Sequence, residues 1–199
     1  MILFVAGRLN EDEEPRVGVI KQWYVSTGDA FSHSFDPRLQ EYNQDVAFFE
    51  LELPVEGVTD YMKILLAHAP YLKGRSVSAA GYSGDRKDLQ FMGGLQNGCN
   101  VQSTQGNMLF TDCDVAPGPS GGPLVVYSQS GEPRLVGVLS TALGSDSGDE
   151  HFSRYDHIVA NIFTTVRGQR FEQRVTDLLK AEVDRTNYDF KTLDGYNFF

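Results

Sequence analysis

Short apolar runs, each closed by Gly, Pro, Asp or Ser, follow one another along most of the chain. That punctuation restricts the fold more than any other feature, because it suits short β-strands joined by tight turns. The 20 glycines are spread through the sequence rather than clustered. Strands are expected at residues 2–6, 16–25, 45–53, 76–82, 107–111, 123–127 and 134–140. Glu50, Leu51, Glu52 and Leu53 alternate with the period of a half-buried strand. Residues 54–60 read as a connection and residues 85–98 as a turn-rich stretch able to hold a hairpin. Residues 168–183 differ in kind. Phe171, Val175, Leu178, Leu179 and Val183 fall at i, i+4, i+7, i+8 and i+12, the spacing of one helical face. That face is expected to pack Phe171, Leu178 and Leu179 on the preceding strands. Residues 188–199 hold five aromatics without a period and either pack back or fray.

With 199 residues, 41% of them hydrophobic, the chain has enough apolar mass for a sizeable core. The formal net charge of −10 disfavours nucleic-acid backbones and anionic membranes as main partners. No apolar run approaches the ~20 residues of a spanning helix. Residues 1–6 are apolar but short and lack a basic leader, so they read as a strand and not as a signal peptide. Cys99 and Cys113 are too few for a disulfide-built scaffold; they either form one staple or remain two thiols. His151 and His157 lack zinc-ligand spacing, and no phosphate-cradling loop is present, so no metal and no cofactor is expected.

Chemistry concentrates in Pro117-Gly118-Pro119-Ser120-Gly121-Gly122-Pro123-Leu124. A serine hydroxyl becomes a useful nucleophile only beside a base and near donors aimed at an oxyanion. Glycine two places before the serine lets the N–H groups of Gly118 and Ser120 converge. Pro119 between them lacks an N–H that the site does not need. Composition alone fits an ordinary Pro/Gly/Ser loop equally well.

The segment resembles the GDSGGP signature of trypsin- and chymotrypsin-like serine peptidases, with Pro119 in place of the aspartate. Three more stretches resemble that family in order. Gln44-Asp45-Val46-Ala47-Phe48-Phe49-Glu50-Leu51 is similar to the segment that carries the catalytic aspartate. Ala80-Gly81-Tyr82-Ser83-Gly84-Asp85-Arg86, with Gly98-Cys99 and Asp112-Cys113-Asp114, looks like the V8-like, glutamyl endopeptidase-related branch. Val136-Gly137-Val138-Leu139-Ser140 resembles the strand whose backbone holds substrate in extended form. The resemblance implies an all-β, chymotrypsin-like double antiparallel β-barrel with an incomplete first barrel and a C-terminal helix. It divides the chain into residues 1–60 (first barrel), 61–167 (second barrel) and 168–199 (helix and tail). It implies peptide-bond hydrolysis through an acyl-enzyme on Ser120, with Asp45 orienting a histidine and the N–H groups of Gly118 and Ser120 as oxyanion hole. Ser140 falls on the substrate-binding strand. Asp114, six residues before Ser120, falls at the floor of the primary specificity pocket, where a carboxylate selects Lys or Arg. A cysteine pair at the sites of Cys99 and Cys113 is implied too, closing a loop worth ~3 kcal/mol.

The base is the departure. In this family the histidine precedes the aspartate by ~45 residues, and no histidine stands there. His33 lies only 12 residues before Asp45, while His68, His151 and His157 follow it. N-terminal truncation is the expectation that accounts for this, and a non-catalytic pseudopeptidase binding peptide or protein partners is the alternative. The expected partners are protein or peptide substrates, without nucleic acid or membrane, the expected state is a monomer, and the resemblance implies a secreted or periplasmic setting.

Overall fold

The computed structural model describes residues 3–6, 16–25, 44–82, 94–113, 120–142, 161–169, 171–179, 182–183 and 195–198. Three antiparallel strands, β1 (Leu3–Ala6), β2 (Arg16–Val25) and β3 (Ala47–Leu51), form one sheet in that order. The second sheet contains β5 (Ser76–Gly81), β6 (Gly94–Gln105), β7 (Met108–Thr111), β8 (Pro123–Tyr127), β9 (Pro133–Ala142) and β10 (Asn161–Thr165). Their order is β10-β7-β6-β5-β8-β9, and β9 pairs back onto β10. Six strands therefore close into an antiparallel barrel, which limits the usual hazard of exposed strand edges. This is the chymotrypsin-like architecture that the ordered segments imply.

Barrel closure explains the core. Leu65, Leu72, Val77, Val101, Leu109, Leu124, Val126, Val136 and Phe163 are all buried in one cluster. Every residue of β10 is buried, so its two faces give no alternation to read from sequence. β6 also escapes local reading. Its Gly94, Gly98, Asn97 and Asn100 are poor strand formers, yet pairing with β5 on one side and β7 on the other holds it extended. β4 (Lys63–Leu66) pairs parallel to β9 outside the barrel, and β11 (Glu182–Val183) pairs parallel to β4.

A one-turn helix, α1 (Ala69–Leu72), follows β4, and α2 (Glu172–Leu179) is the C-terminal helix. The Glu172 carboxylate turns back to accept the N–H of Gly168 at 2.7 Å, satisfying a donor ahead of the first turn. The expected helical face needs correction. Phe171 and Val175 are buried, but Leu178 and Leu179 are 40% and 51% exposed. The helix ends at Leu179, and Val183 belongs to β11 instead. The buried stripe meets a second apolar cluster of Val46, Ile64, Leu66 and Val166, with Tyr24, Phe48, Leu135 and Val138 packed against it. So α2 lies against the three-stranded sheet as well as the barrel, and only its first turn and a half is covered.

Candidate active site

Asp45 stands one residue after a short turn at Gln44 and just before β3, half-buried. Val46 beside it is buried in the cluster that α2 completes. Along β3 the residues facing that cluster continue as Phe48 and Glu50. The Phe48 ring stacks on Phe171 with centroids 6.1 Å apart and tilts against Tyr24 at 5.8 Å. Glu50 accepts from Arg174 at 2.9 Å and from Lys21 at 3.3 Å, and Arg174 also donates to the Tyr24 hydroxyl at 3.1 Å. The Arg174 guanidinium holds the Glu50 carboxyl below its ordinary range. This row of residues seats the strand that carries Asp45.

Ser120 is exposed in the turn that leads into β8. Gly121 follows it at φ +85°, a conformation that L side chains rarely adopt, which accounts for glycine there. The Gly121 N–H donates to the Leu139 carbonyl at 2.8 Å, and the Leu139 N–H donates to the Gly122 carbonyl at 2.8 Å. The turn is thereby fastened to β9 at Leu139. The next residue, Ser140, donates its hydroxyl to Oδ2 of Asp45. One short piece of β9 thus binds the turn of Ser120 through its backbone and Asp45 through a side chain. Sequence reading placed Ser140 on the substrate-binding strand; its hydroxyl contact with Asp45 was missed, because nothing local links positions 95 residues apart.

Cys99 and Cys113 form a disulfide with their Cα atoms 4.9 Å apart. It ties β6 to the residue two places beyond the end of β7, and both cysteines are buried. The Cys113 carbonyl accepts from the Asn161 side chain at the start of β10. Asp112 accepts from the Asn100 N–H and from the Gln102 side chain. Asp114 and Gly118 lie outside the described residues, as do His33, His151 and His157. His68 precedes α1, exposed, with its ring edge-on to Tyr71 at 5.8 Å. Among the described residues, neither Asp45 nor Ser120 is hydrogen-bonded to an imidazole. Nor does any group of three His, Cys, Asp or Glu side chains there stand placed to hold a metal ion. No helix among them is long and apolar enough to cross a membrane.

A closed antiparallel barrel with a glycine-rich serine turn at the head of one strand is an architecture shared with serine peptidases. The trypsin-like peptidase domain matches residues 9–138, and the chain belongs to that family. The match includes Asp45, both cysteines and Ser120. No curated protein matches the chain.

Proposed function

We propose that the site is that of a serine endopeptidase, with Ser120 as nucleophile and Asp45 as the carboxylate that orients the base. The observation that carries this reading is the convergence on β9, where Leu139 holds the Ser120 turn and Ser140 holds Asp45. An imidazole between them would take the serine proton, and Asp45 would fix its tautomer and stabilise the imidazolium. The N–H groups of Gly118 and Ser120 would receive the oxyanion. Ser140 and the following backbone of β9 would hold an extended peptide, and Asp114 would favour a basic side chain at the cleavage position. The V8-like resemblance, the three-part division at residues 60 and 167, and a secreted or periplasmic setting belong to the same reading. A buried disulfide supports an oxidising compartment.

The 199-residue chain by itself is expected to turn over peptides slowly or not at all. Triad members act as a unit, so a chain without the base would lose on the order of 10⁶ in turnover. Binding and the oxyanion hole would still leave ~10³–10⁴ over water. The test is titration with a fluorescent fluorophosphonate, with Ser120→Ala as control, beside assays on Lys, Arg and Glu peptides. Slow labelling confined to Ser120 is the expected result. Labelling that survives Ser120→Ala would place the nucleophile elsewhere. Fast labelling with rapid turnover would put the base among His33, His68, His151 and His157, to be found by single alanine variants. A folded chain that never labels would favour the pseudopeptidase.

A further inference from the structure

Alternation along β2 and β3 gives the three-stranded sheet two unlike faces. Tyr24 and Phe48 pack against the cluster that α2 completes, so their neighbours along each strand point to the other side. There the register sets Trp23 opposite Phe49 and Val25 opposite Ala47, and paired residues share a face. Trp23 is 54%, Val25 52% and Phe49 47% exposed, and Ala47 is exposed as well. Single exposed apolar residues are ordinary, but neighbours grouped on one face mark an interaction surface.

The same face is covered at its other end. Ile20 stands opposite Leu51, and Val55 is buried. A Cβ on Gly18 would meet Val55 at 3.0 Å and Leu51 at 3.3 Å. The connection after β3 therefore folds back over this end and leaves Trp23, Val25, Ala47 and Phe49 open. That connection carries Glu52, Glu56 and Asp60, all exposed. Arg16 beside it donates to the Gly57 carbonyl at 3.3 Å. Lys21 is turned to the opposite face, where it pairs with Glu50. Carboxylates thus dominate the covered end, and the chain as a whole carries a formal charge of −10.

We infer that the open face of β2 and β3 is a docking site for a cationic, amphipathic segment of a partner protein. Its apolar side chains cover Trp23, Val25 and Phe49, and its Lys or Arg side chains meet Glu52, Glu56 and Asp60. Phe49 and Glu52 are about 10 Å apart along the extended chain, so one short segment reaches both. The indole ring of Trp23 adds an attraction for the same cations. Exposed tryptophan is also the residue type that most often anchors an interface. Charge decides against a second copy of this chain, because two acidic surfaces would be brought together.

The inference does not rest on the chemistry of Ser120, and its test reads this face directly. Trp23 is the chain's single tryptophan, so tryptophan emission reports the site alone. In the free chain it should be quenched readily, and more by caesium than by iodide relative to free indole, because carboxylates gather cations. A short peptide alternating leucine and lysine should shift the emission to the blue and shield it from acrylamide. Peptides with glutamate for lysine, or serine for leucine, should do neither. By anisotropy of the labelled lysine peptide, Phe49→Ser should weaken binding ~10-fold or more. The triple variant Glu52→Gln, Glu56→Gln, Asp60→Asn should weaken it about 5-fold at low salt. That variant alters only exposed side chains and decides the matter if Phe49→Ser fails to fold. Blue, shielded emission from the free chain would overturn the inference, and dilution would tell a second copy from cover by the chain's own residues. No shift with the lysine peptide, equal binding of the lysine and glutamate peptides, or binding unchanged in the triple variant would overturn it too. A shift with neutral phosphatidylcholine vesicles and none with the peptide would make the face a lipid-binding surface instead.

Discussion

The hydroxyl of Ser140 on β9 donates to the carboxylate of Asp45, joining the barrel to the start of β3. Both residues are half-buried, so the contact is partly shielded from water. A hydrogen bond to a charged group is worth about 1.5–3 kcal/mol net.

Ser140→Ala is accordingly expected to destabilise the chain by about 1–3 kcal/mol. The informative measurement is a double-mutant cycle with Asp45→Asn, by urea denaturation. The two substitutions should show a coupling of about 1–2 kcal/mol. Strict additivity would mean that the contact contributes nothing in solution.

Glu50 gives a pH dependence with a definite sign. Its folded pKa is lowered from 4.5, first by the hydrogen bond from Arg174 and then by that from Lys21, against a desolvation that acts the other way. A depressed carboxylate contributes stability that is fully present above its unfolded pKa and is lost as the pH falls through the folded value. Stability should therefore fall below pH 4.5 more steeply in the parent than in Glu50→Gln. The ion pair with Arg174 is partly exposed, so the difference should be small and should shrink at high salt. Thermal denaturation of both chains between about pH 3 and pH 6, at low and high salt, reads it.

Phe171, just ahead of α2, and Leu178 within it allow a comparison along one apolar face. Phe171 is buried against Phe48, whereas Leu178 is 40% exposed. Phe171→Ala should cost about 3–5 kcal/mol. Leu178→Ala should cost less than ~1 kcal/mol. Similar costs for the two would restore the longer apolar face that the spacing suggests.

That face shows where sequence reading stops. Periodicity marks Phe171 and Val175 because two elements press on the first turn and a half of α2, but it cannot tell where the covering partner ends. Strand β8 was legible because it is a compact apolar run with turn residues at both ends, and β2 because it alternates in part between turn residues. β6 was not, since its glycines and asparagines are held extended by neighbours distant in sequence. β4 pairs in parallel, and β10 is buried on both faces, so neither announces itself by alternation. At the site, Ser120 and Asp45 stood out through ordered segments typical of a family. The Ser140 contact and the Arg174 clamp on Glu50 arise only from folding, because each joins positions roughly a hundred residues apart.

The disulfide allows the last prediction. Cys99 and Cys113 are 14 residues apart, so cross-linking removes the freedom of a short loop from the unfolded chain. Loop entropy for that length gives ~3 kcal/mol. The folded state should survive its loss, because Val101 opposite Thr111 and the pairs beyond still hold the β6–β7 hairpin in register. Asn161 also keeps its bond to the Cys113 carbonyl, which is a backbone group and remains after substitution. The double variant Cys99→Ala, Cys113→Ala should therefore fold to the same barrel and melt about 6–12 °C lower. Reductant should lower the melting temperature of the parent by a similar amount and leave the variant unchanged. Thiol titration of the denatured parent should find no free thiol before reduction and two after it. Two free thiols before reduction, with melting indifferent to reductant, would show that the pair does not form in solution. The expected compartment would then lose its physical support.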